Sequence, residues 1–300
     1  MKRGTSRAAR GAEYASVSLD VDLIGLIHAA LHAACIGAAL GWSWLAGPAR
    51  ATAAESGLHR REGYTAVAAL ASPHATQAAA AGEHVIYAIS STAVARYDRR
   101  SGRLIDVADG AGARHLNSGF LLGGRLFLAH SNYPHTPPES DIRALDPAGD
   151  HLEVFHRFVD PPGSLVWCIV NDGVWWCCFA RYGRDNRRTV LIEYADGGLE
   201  REVRRFRFPA VVVDDWDDMS ASGGIWAGDT LLVSHHHHRV LYRLALPTTG
   251  DELRLVETLT CPFPGQGIAA DASSGGLVGI DREHLRVLFA VPTRNGSSPH

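Results

Sequence analysis

Short apolar runs alternate with polar turns along the chain from about residue 64 to residue 292. Runs of this kind, rich in Val, Ile, Tyr and Phe and separated by Gly, Asp and Asn, are typical of β-strands joined by tight turns. Five segments share one plan: an apolar run, a glycine turn, a very apolar second run, a polar loop and a third run. The turns with their second runs read AGEHVIYAIS, GGRLFLAHS, DGVWWCCFA, GDTLLVSHH and SGGLVGID.

The repeat has the length of one β-propeller blade. Its five marker glycines follow each other at intervals of 42, 49, 55 and 48 residues, at Gly82, Gly124, Gly173, Gly228 and Gly276. The first four repeats each add a fourth, more polar run, and four antiparallel strands per repeat of this length are typical of a propeller. The sequence therefore predicts an all-β fold, a five-bladed β-propeller of four-stranded antiparallel blades. A six-bladed propeller is the alternative, because blade boundaries are the least reliable part of such an assignment.

An unassigned run at the start of the repeat region predicts how the ring closes. The fifth repeat has no fourth run, whereas GYTAVAALAS at residues 63–72 precedes the first repeat. We expect this N-terminal strand to become the outer strand of the last blade, because closure removes free sheet edges. The propeller domain is predicted over residues 64–292, and residues 293–300 are predicted to form a disordered tail.

The N-terminal region has the pattern of a targeting segment. Basic residues in positions 1–11 are followed by an apolar stretch at residues 23–47, and small residues stand at Ala51 and Ala53. Such a pattern is typical of a signal peptide, and the apolar stretch is long enough for a spanning helix. Residues 1–56 are therefore predicted to be a signal peptide or an N-terminal membrane anchor. The protein is expected to be exported, periplasmic or extracellular, or membrane-anchored through this segment alone.

Composition narrows the function classes. The 300 residues carry a formal net charge of -3, so no basic excess points to nucleic acid as a partner. The five cysteines form no C-x-x-C pair, and the four that follow the N-terminal segment are interpreted as buried free thiols in preference to a disulfide. The 16 histidines are the unusual feature, and four of them form the run SHHHH.

The propeller prediction groups the polar residues on one face. Loops that lead into the inner strands and loops between second and third strands open on the same side, where function is usually found. The residues predicted to bind a ligand there are His74, Gln77, Asn117, Ser118, Asn132, Tyr133, Trp167, Arg181, Tyr182, Ser222 and Gln266. Tyr and Trp faces stack on sugar rings, and Arg pairs with carboxylates. The predicted partner is therefore a small-molecule or carbohydrate ligand.

The histidines are the candidates for chemistry. Strand alternation puts His235 and His237 on one side, and His236 and His238 on the other, so the run alone offers two groups to any point. Candidate catalytic residues are His130, His235, His115 and Asp281, because a histidine titrates near neutrality. A divalent metal is a candidate cofactor, with His130, His235 and His237 as ligands. The alternative is a solvent-exposed turn without a specific role.

Several enzyme classes lack their motifs. The loops that lead into the inner strands begin without the paired carboxylates of a glycosidase, and the serines form no G-x-S-x-G elbow. The predicted function is an enzyme of hydrolase or lyase type that acts on a carbohydrate or sugar-acid-like molecule, by His acid/base or metal-assisted chemistry. The alternative function is a non-catalytic ligand-binding or protein-interaction propeller.

Six motifs together resemble a family of exported bacterial β-propeller proteins without an assigned reaction. The motifs are HATQAA, HLNSGF, AHSNYP, FARYG, SGGIW and GQGIA. The resemblance covers residues 64–292 and implies a propeller whose functional face carries these motifs. At the histidine run, similar sequences have a shorter mix of Gly, His and Asp, which implies that His235 matters more than the whole run.

Overall fold

The computed structural model describes residues 58–195 and 198–293, and their regular structure is almost entirely β-strand. Two strands precede the repeat region, β1 (Arg60–Arg61) and β2 (Tyr64–Ala71). The first two blades comprise β3 (Ala78–Ala81), β4 (Val85–Ile89), β5 (Ala93–Asp98) and β6 (Leu104–Asp109), then β7 (His115–Leu122), β8 (Arg125–Ser131), β9 (Ser140–Leu145) and β10 (Glu153–Arg157).

The second half of the chain continues the same plan. Its strands are β11 (Ser164–Asn171), β12 (Val174–Ala180), β13 (Val190–Tyr194), β14 (Glu202–Arg207), β15 (Gly223–Ala227), β16 (Thr230–Ser234), β17 (Val240–Ala245), β18 (Arg254–Thr260), β19 (Ala269–Asp271), β20 (Gly276–Asp281) and β21 (Arg286–Pro292). A 3-10 helix at Gly183–Arg188 and a short helix α1 at Ala210–Asp215 interrupt them.

The described strands fall into five four-stranded antiparallel units, which we call blades one to five in chain order. Blades two and three are separate sheets, β7 to β10 and β11 to β14, while blade four carries β1 as an additional parallel strand on β18. Blades five and one are joined into one eight-stranded sheet through a single parallel bridge between Asp271 and Ala81. The inner strands β3, β7, β11, β15 and β19 contact one another in succession, and β19 returns to β3.

The predicted closing strand is confirmed. Strand β2 pairs antiparallel with β21, from Tyr64 opposite Pro292 to Ala71 opposite Arg286, with a bulge between Ala66 and Ala68. The outer strand of blade five therefore comes from the beginning of the described chain. Strand β1 lies before the predicted domain start at residue 64, and no sequence pattern identified it.

Burial follows the position of each strand in its blade. The second strands are almost fully buried, as in β12 with the sequence VWWCCFA, because they are covered on both faces by neighbouring blades. The outer strands are mostly exposed, as in β14 with the sequence EVRRFR. All four cysteines in this part of the chain are buried and free, as expected.

The blades meet closely at the axis of the ring. A Cβ atom on Gly267, in the loop before β19, would lie 2.6 Å from the Cβ of Ala78 and 2.8 Å from the Cβ of Ser118. A Cβ on Gly223 would lie 2.6 Å from the backbone nitrogen of Ile268. Blades one, two, four and five therefore approach to backbone contact, which requires residues without side chains at these positions.

Two predicted segments lie outside the described residues: the signal peptide or anchor at residues 1–56, and all of the predicted tail except Thr293. Within residues 58–195 and 198–293, no helix has the length and apolar character needed to cross a membrane.

Candidate functional site

A cluster of polar side chains from four blades lies where the inner strands begin. Arg282, in the loop after β20, donates a hydrogen bond to the side-chain oxygen of Gln77 (3.2 Å) and another to that of Gln266 (2.8 Å). Gln266 in turn donates to the backbone carbonyl of His236 (3.1 Å). His115 lies close enough for the charge of Arg282 to act on its ring. We call these five residues the channel-mouth cluster.

His115 carries an aromatic wall on one side of the cluster. It begins β7, and its ring centroid lies 5.4 Å from that of Tyr133, which lies 4.8 Å from that of Tyr182. Burial, together with the charge of Arg282, lowers the pKa of His115 to about 4. The imidazole is therefore neutral near pH 7 and offers one donor and one acceptor nitrogen.

His235 holds the histidine run together from inside blade four. It is 1 % exposed, and its Nδ1 accepts hydrogen bonds from the backbone N–H groups of His237 (2.8 Å) and His238 (3.1 Å). Its Nε2 lies 3.0 Å from the carbonyl oxygen of Asp215, to which it donates. Both ring nitrogens are thus engaged with the backbone, so His235 shapes the turn and does not face the cluster.

His236 is the member of the run that faces the cluster. Its Nδ1 shares a hydrogen bond of 2.7 Å with Ser222 Oγ, in the loop before β15. Burial, together with the charges of His237 and Arg282, lowers its pKa to about 3. His236 is therefore a second neutral imidazole at the mouth, oriented by Ser222. Strand alternation predicted the opposite pair, because the run forms a turn around the His235 ring and does not extend the strand.

Gln266 is held in an unusual backbone conformation. Its φ of 74° lies in the left-handed region, which costs a non-glycine residue about 1–3 kcal/mol and is found preferentially at functional sites. Its carbonyl accepts a hydrogen bond of 2.6 Å from Ser234 Oγ, and its side chain joins His236 to Arg282. The contacts therefore fix Gln266 at both the backbone and the side chain.

Asp281 positions the loop that carries Arg282. It is 2 % exposed, and its carboxylate accepts hydrogen bonds from Arg286, from the His284 ring and from the His284 backbone. Burial acts to raise the pKa of Asp281, but the hydrogen bonds from Arg286 and His284 outweigh it and lower the pKa overall. An ionised carboxylate satisfied in this way holds the turn, and its hydrogen bonds are made to His284 and Arg286, not to the cluster.

His130 lies in a separate network at the side of blade two. Its Nε2 accepts a hydrogen bond from the backbone of Arg114 (2.9 Å), and its Nδ1 lies 3.1 Å from Asp141 Oδ2. Asp141 also pairs with Arg143 (2.6 Å). This network lines a cavity of about 430 Å³ that includes Asn132 and Glu139. Both ring nitrogens of His130 therefore face protein atoms, Nε2 the backbone of Arg114 and Nδ1 the carboxylate of Asp141, although Nδ1 forms no aligned hydrogen bond.

The structure does not gather the predicted metal ligands. Among the described residues, no group of three or more His, Cys, Asp or Glu side chains has an arrangement that could hold a metal ion. The ring nitrogens of His130 and His235 face other protein atoms, and His237 is exposed on the turn.

The remaining predicted ligand residues divide between the cluster and the scaffold. Trp167 is fully buried against Gly224, so it packs between blades and cannot stack on a ligand. Asn117 donates to the carbonyl of Leu165 in the next blade (2.8 Å), and Asn132 binds the backbone of its own loop. Arg181 donates to the carbonyl of Pro162. These contacts connect loops and blades. Ser118 packs against Gly267 and has the same structural role. His74 lies half-buried in the loop before β3.

Two cluster residues were not among the predicted site residues. Strand alternation favours His235 and His237 over His236, and the sequence analysis predicts a role for Asp281 but none for its neighbour Arg282. A usable signal for Arg282 was present, because DREH places a cation in the loop between a second and a third strand. Its pairing with Gln77 and Gln266 joins positions that are far apart in the chain, and no local pattern reports it.

The comparisons with known proteins concern the fold. No protein-family profile matches the sequence, and a search of curated proteins finds no relative. Among solved structures, the crystal structure of Myxococcus xanthus glutaminyl cyclase matches with a TM-score of 0.52 and 10 % identity, covering 78 % of this chain and 98 % of that chain. The chain has a β-propeller fold. The predicted all-β propeller class is thereby confirmed, and the number of blades stays a prediction.

Two further matches among solved structures have TM-scores below 0.5. The crystal structure of the RRP9 WD40 repeats has a TM-score of 0.38 at 11 % identity, covering 73 % of this chain and 67 % of that chain. The crystal structure of a mitotic checkpoint complex has a TM-score of 0.41 at 11 % identity, covering 72 % of this chain and 63 % of that chain.

Proposed function

We propose that the protein binds a carbohydrate or sugar-acid-like small molecule at the channel-mouth cluster and acts on it by histidine acid–base chemistry. The observation that carries this proposal is that two neutral imidazoles, His115 and His236, lie within reach of the charge of Arg282, which forms no ion pair within residues 58–195 and 198–293. Tyr133 and Tyr182 supply aromatic faces beside His115, suited to a sugar ring. The glutaminyl cyclase neighbour is consistent with an enzyme on this fold, and its substrate does not transfer to this chain at 10 % identity.

The two histidines can exchange protons with a bound ligand. A neutral imidazole accepts a proton from one ligand group through its free lone pair and offers an N–H to another. Ser222 binds Nδ1 of His236, and Nε2 of the same ring forms no hydrogen bond within residues 58–195 and 198–293. This arrangement supports hydrolase or lyase chemistry with His236 as the proton-transferring group and His115 as the second polar contact.

The catalytic part is tested by substituting His236. Purified protein is incubated with a panel of neutral and uronate-containing oligosaccharides, and new reducing ends are measured. We expect turnover of at least one uronate-containing substrate, and a His236→Gln variant should lose about 100-fold or more in turnover while binding changes little. The control is His238→Gln, because His238 belongs to the same run but is exposed on the turn.

Two results would contradict parts of the proposal. Binding without turnover by the unmodified protein would favour the alternative, a non-catalytic ligand-binding propeller. Failure of every sugar in the panel to bind, measured by calorimetry, would remove the ligand class itself.

A further inference from the structure

Arg282 is held in the channel-mouth cluster by neutral groups only. Its Nε donates to the backbone carbonyl of Thr76 (2.6 Å), and its Nη2 donates to the side-chain oxygens of Gln77 and Gln266. These three contacts come from the loops that lead into β3 and β19, so two blades fix the plane of the guanidinium. The orientation of Arg282 is therefore set before any ligand arrives.

One nitrogen of this guanidinium remains available. An arginine side chain carries five N–H groups. One lies on Nε and two on Nη2, and these three have protein acceptors, whereas Nη1 and its two N–H groups have no partner in the described part of the chain. Arg282 is solvent-exposed, so Nη1 is open to a ligand from solution.

The positive charge of Arg282 is also uncompensated. Three other arginines with largely buried side chains are paired with carboxylates: Arg96 with Asp106, Arg99 with Asp271 and Arg143 with Asp141. Arg282 forms no ion pair with a carboxylate among residues 58–195 and 198–293. Its own neighbour Asp281 is occupied by His284 and Arg286.

The surroundings of Arg282 favour an anion at its free nitrogen. Burial lowers the pKa of Arg282, because neighbouring protein atoms displace part of the water around the guanidinium, although the residue remains solvent-exposed. A hydrogen bond between a guanidinium and a carboxylate is stronger than one between neutral groups, so the open Nη1 favours a negative group. The nearby imidazoles are neutral, so the site carries one positive charge.

We infer that the channel mouth selects ligands that carry a carboxylate, and that Nη1 of Arg282 is the group that binds it. A single cation with one free nitrogen matches a singly charged group, whereas a phosphate dianion would leave a negative charge without a partner. The inference rests on the proposed function and narrows it, because a neutral carbohydrate would leave the cation unpaired. A sugar acid offers a ring to pack against Tyr133 and Tyr182 and a carboxylate to pair with Arg282.

The first experiment compares ligands on the unmodified protein. Calorimetric titrations use D-glucuronate, its neutral methyl ester, D-glucose and D-glucose 6-phosphate. We expect D-glucuronate to bind about tenfold or more tightly than the ester and D-glucose, since the ester retains the ring and loses the charge. Tighter binding of the phosphate ester than of D-glucuronate would overturn the choice of a carboxylate.

The second experiment tests the arginine. The Arg282→Gln variant should weaken D-glucuronate binding about tenfold or more and leave binding of the neutral ester within about twofold. Arg282→Lys keeps the charge and should retain part of the preference for the acid. The matched control is Arg100→Gln, an exposed arginine at the turn between β5 and β6. Thermal unfolding of each variant shows that it is folded.

The outcomes separate the inference from the proposed function. If D-glucuronate and its ester bind equally, and Arg282→Gln changes neither, the inference is wrong while ligand binding at the mouth stands. If no member of the series binds the unmodified protein, both the proposed function and the inference are overturned.

Discussion

Replacing Gly265 by alanine is expected to lower the free energy of unfolding by about 3 kcal/mol or more. Gly265 has a φ of +94°, and a Cβ atom there would lie 2.0 Å from the carbonyl oxygen of His236. The left-handed conformation costs an alanine about 1–2 kcal/mol, and forcing extra atoms into a packed interior costs about 1–3 kcal/mol more. Urea unfolding followed by tryptophan fluorescence measures the change.

A second glycine separates the two contributions. Gly228 also has a positive φ, +64°, but a Cβ atom there would meet nothing within 4 Å. Gly228→Ala is therefore expected to cost only the conformational part, about 1–2 kcal/mol. Equal losses in the two variants would show that the contact between Gly265 and the His236 backbone is not tight. A larger loss for Gly265→Ala should come with weaker ligand binding, because Gln266 and His236 move apart.

Replacing His235 by asparagine is expected to remove a large part of the acid sensitivity of the fold. Burial lowers the pKa of His235 from 6.5 to about 4, so between these values the unfolded chain binds a proton that the folded chain does not. Stability from this group is fully present above pH 6.5 and is lost as pH falls towards 4. A shift of this size corresponds to about 3 kcal/mol.

The variant is designed to keep the turn. The side-chain oxygen of asparagine can accept hydrogen bonds from the backbone of His237 and His238, as Nδ1 does, but it does not titrate. At about pH 7 we expect a deficit of about 1–3 kcal/mol, because the bond to the Asp215 carbonyl is lost. By about pH 4.5 this deficit should shrink or reverse.

An exposed histidine serves as the control for acid sensitivity. His84→Asn, on the turn between β3 and β4, should follow the unmodified protein at both pH values. Free energies of unfolding from urea titrations give the comparison. A deficit for His235→Asn that stays constant with pH would show that His235 does not contribute through its protonation.

The fold was predictable because its signal is local and repeated. Each second strand is mostly apolar, and the fourth strands of blades one to four are more polar, so the order of strands within these blades can be read from composition. The closing strand could be assigned because Tyr64–Ala71 was left over at the correct end. Strand β1, with the sequence RR, carries no strand signal, and its pairing with β18 depends on tertiary contact.

The site was predictable only as a set of loops. The propeller assignment put Gln77, His115, Ser222 and Gln266 at the channel mouth, and the structure brings them there. The propeller assignment does not predict which of these polar groups form hydrogen bonds with one another. His130 and His235 are residues of a type found in active sites, but their contacts are structural. Nε2 of His130 accepts a hydrogen bond from the backbone of Arg114, and Nε2 of His235 donates one to the backbone carbonyl of Asp215. Such pairings become visible only with the structure.

The pairing of β2 with β21 also determines when the molecule can be completed. Thr65 and Thr293 share a hydrogen bond although 228 residues separate them, so the last blade needs both ends of the described chain. Contacts of such long sequence separation slow folding, because the entropy of closing a large loop is lost before the contact forms. During synthesis β2 emerges early, and the backbone groups that will pair with β21 stay without that partner until β21 has been synthesised. Until the intervening blades have been translated, other strands can pair with the exposed edge of β2 in place of β21. A strand from a second nascent copy of the chain is one such competitor.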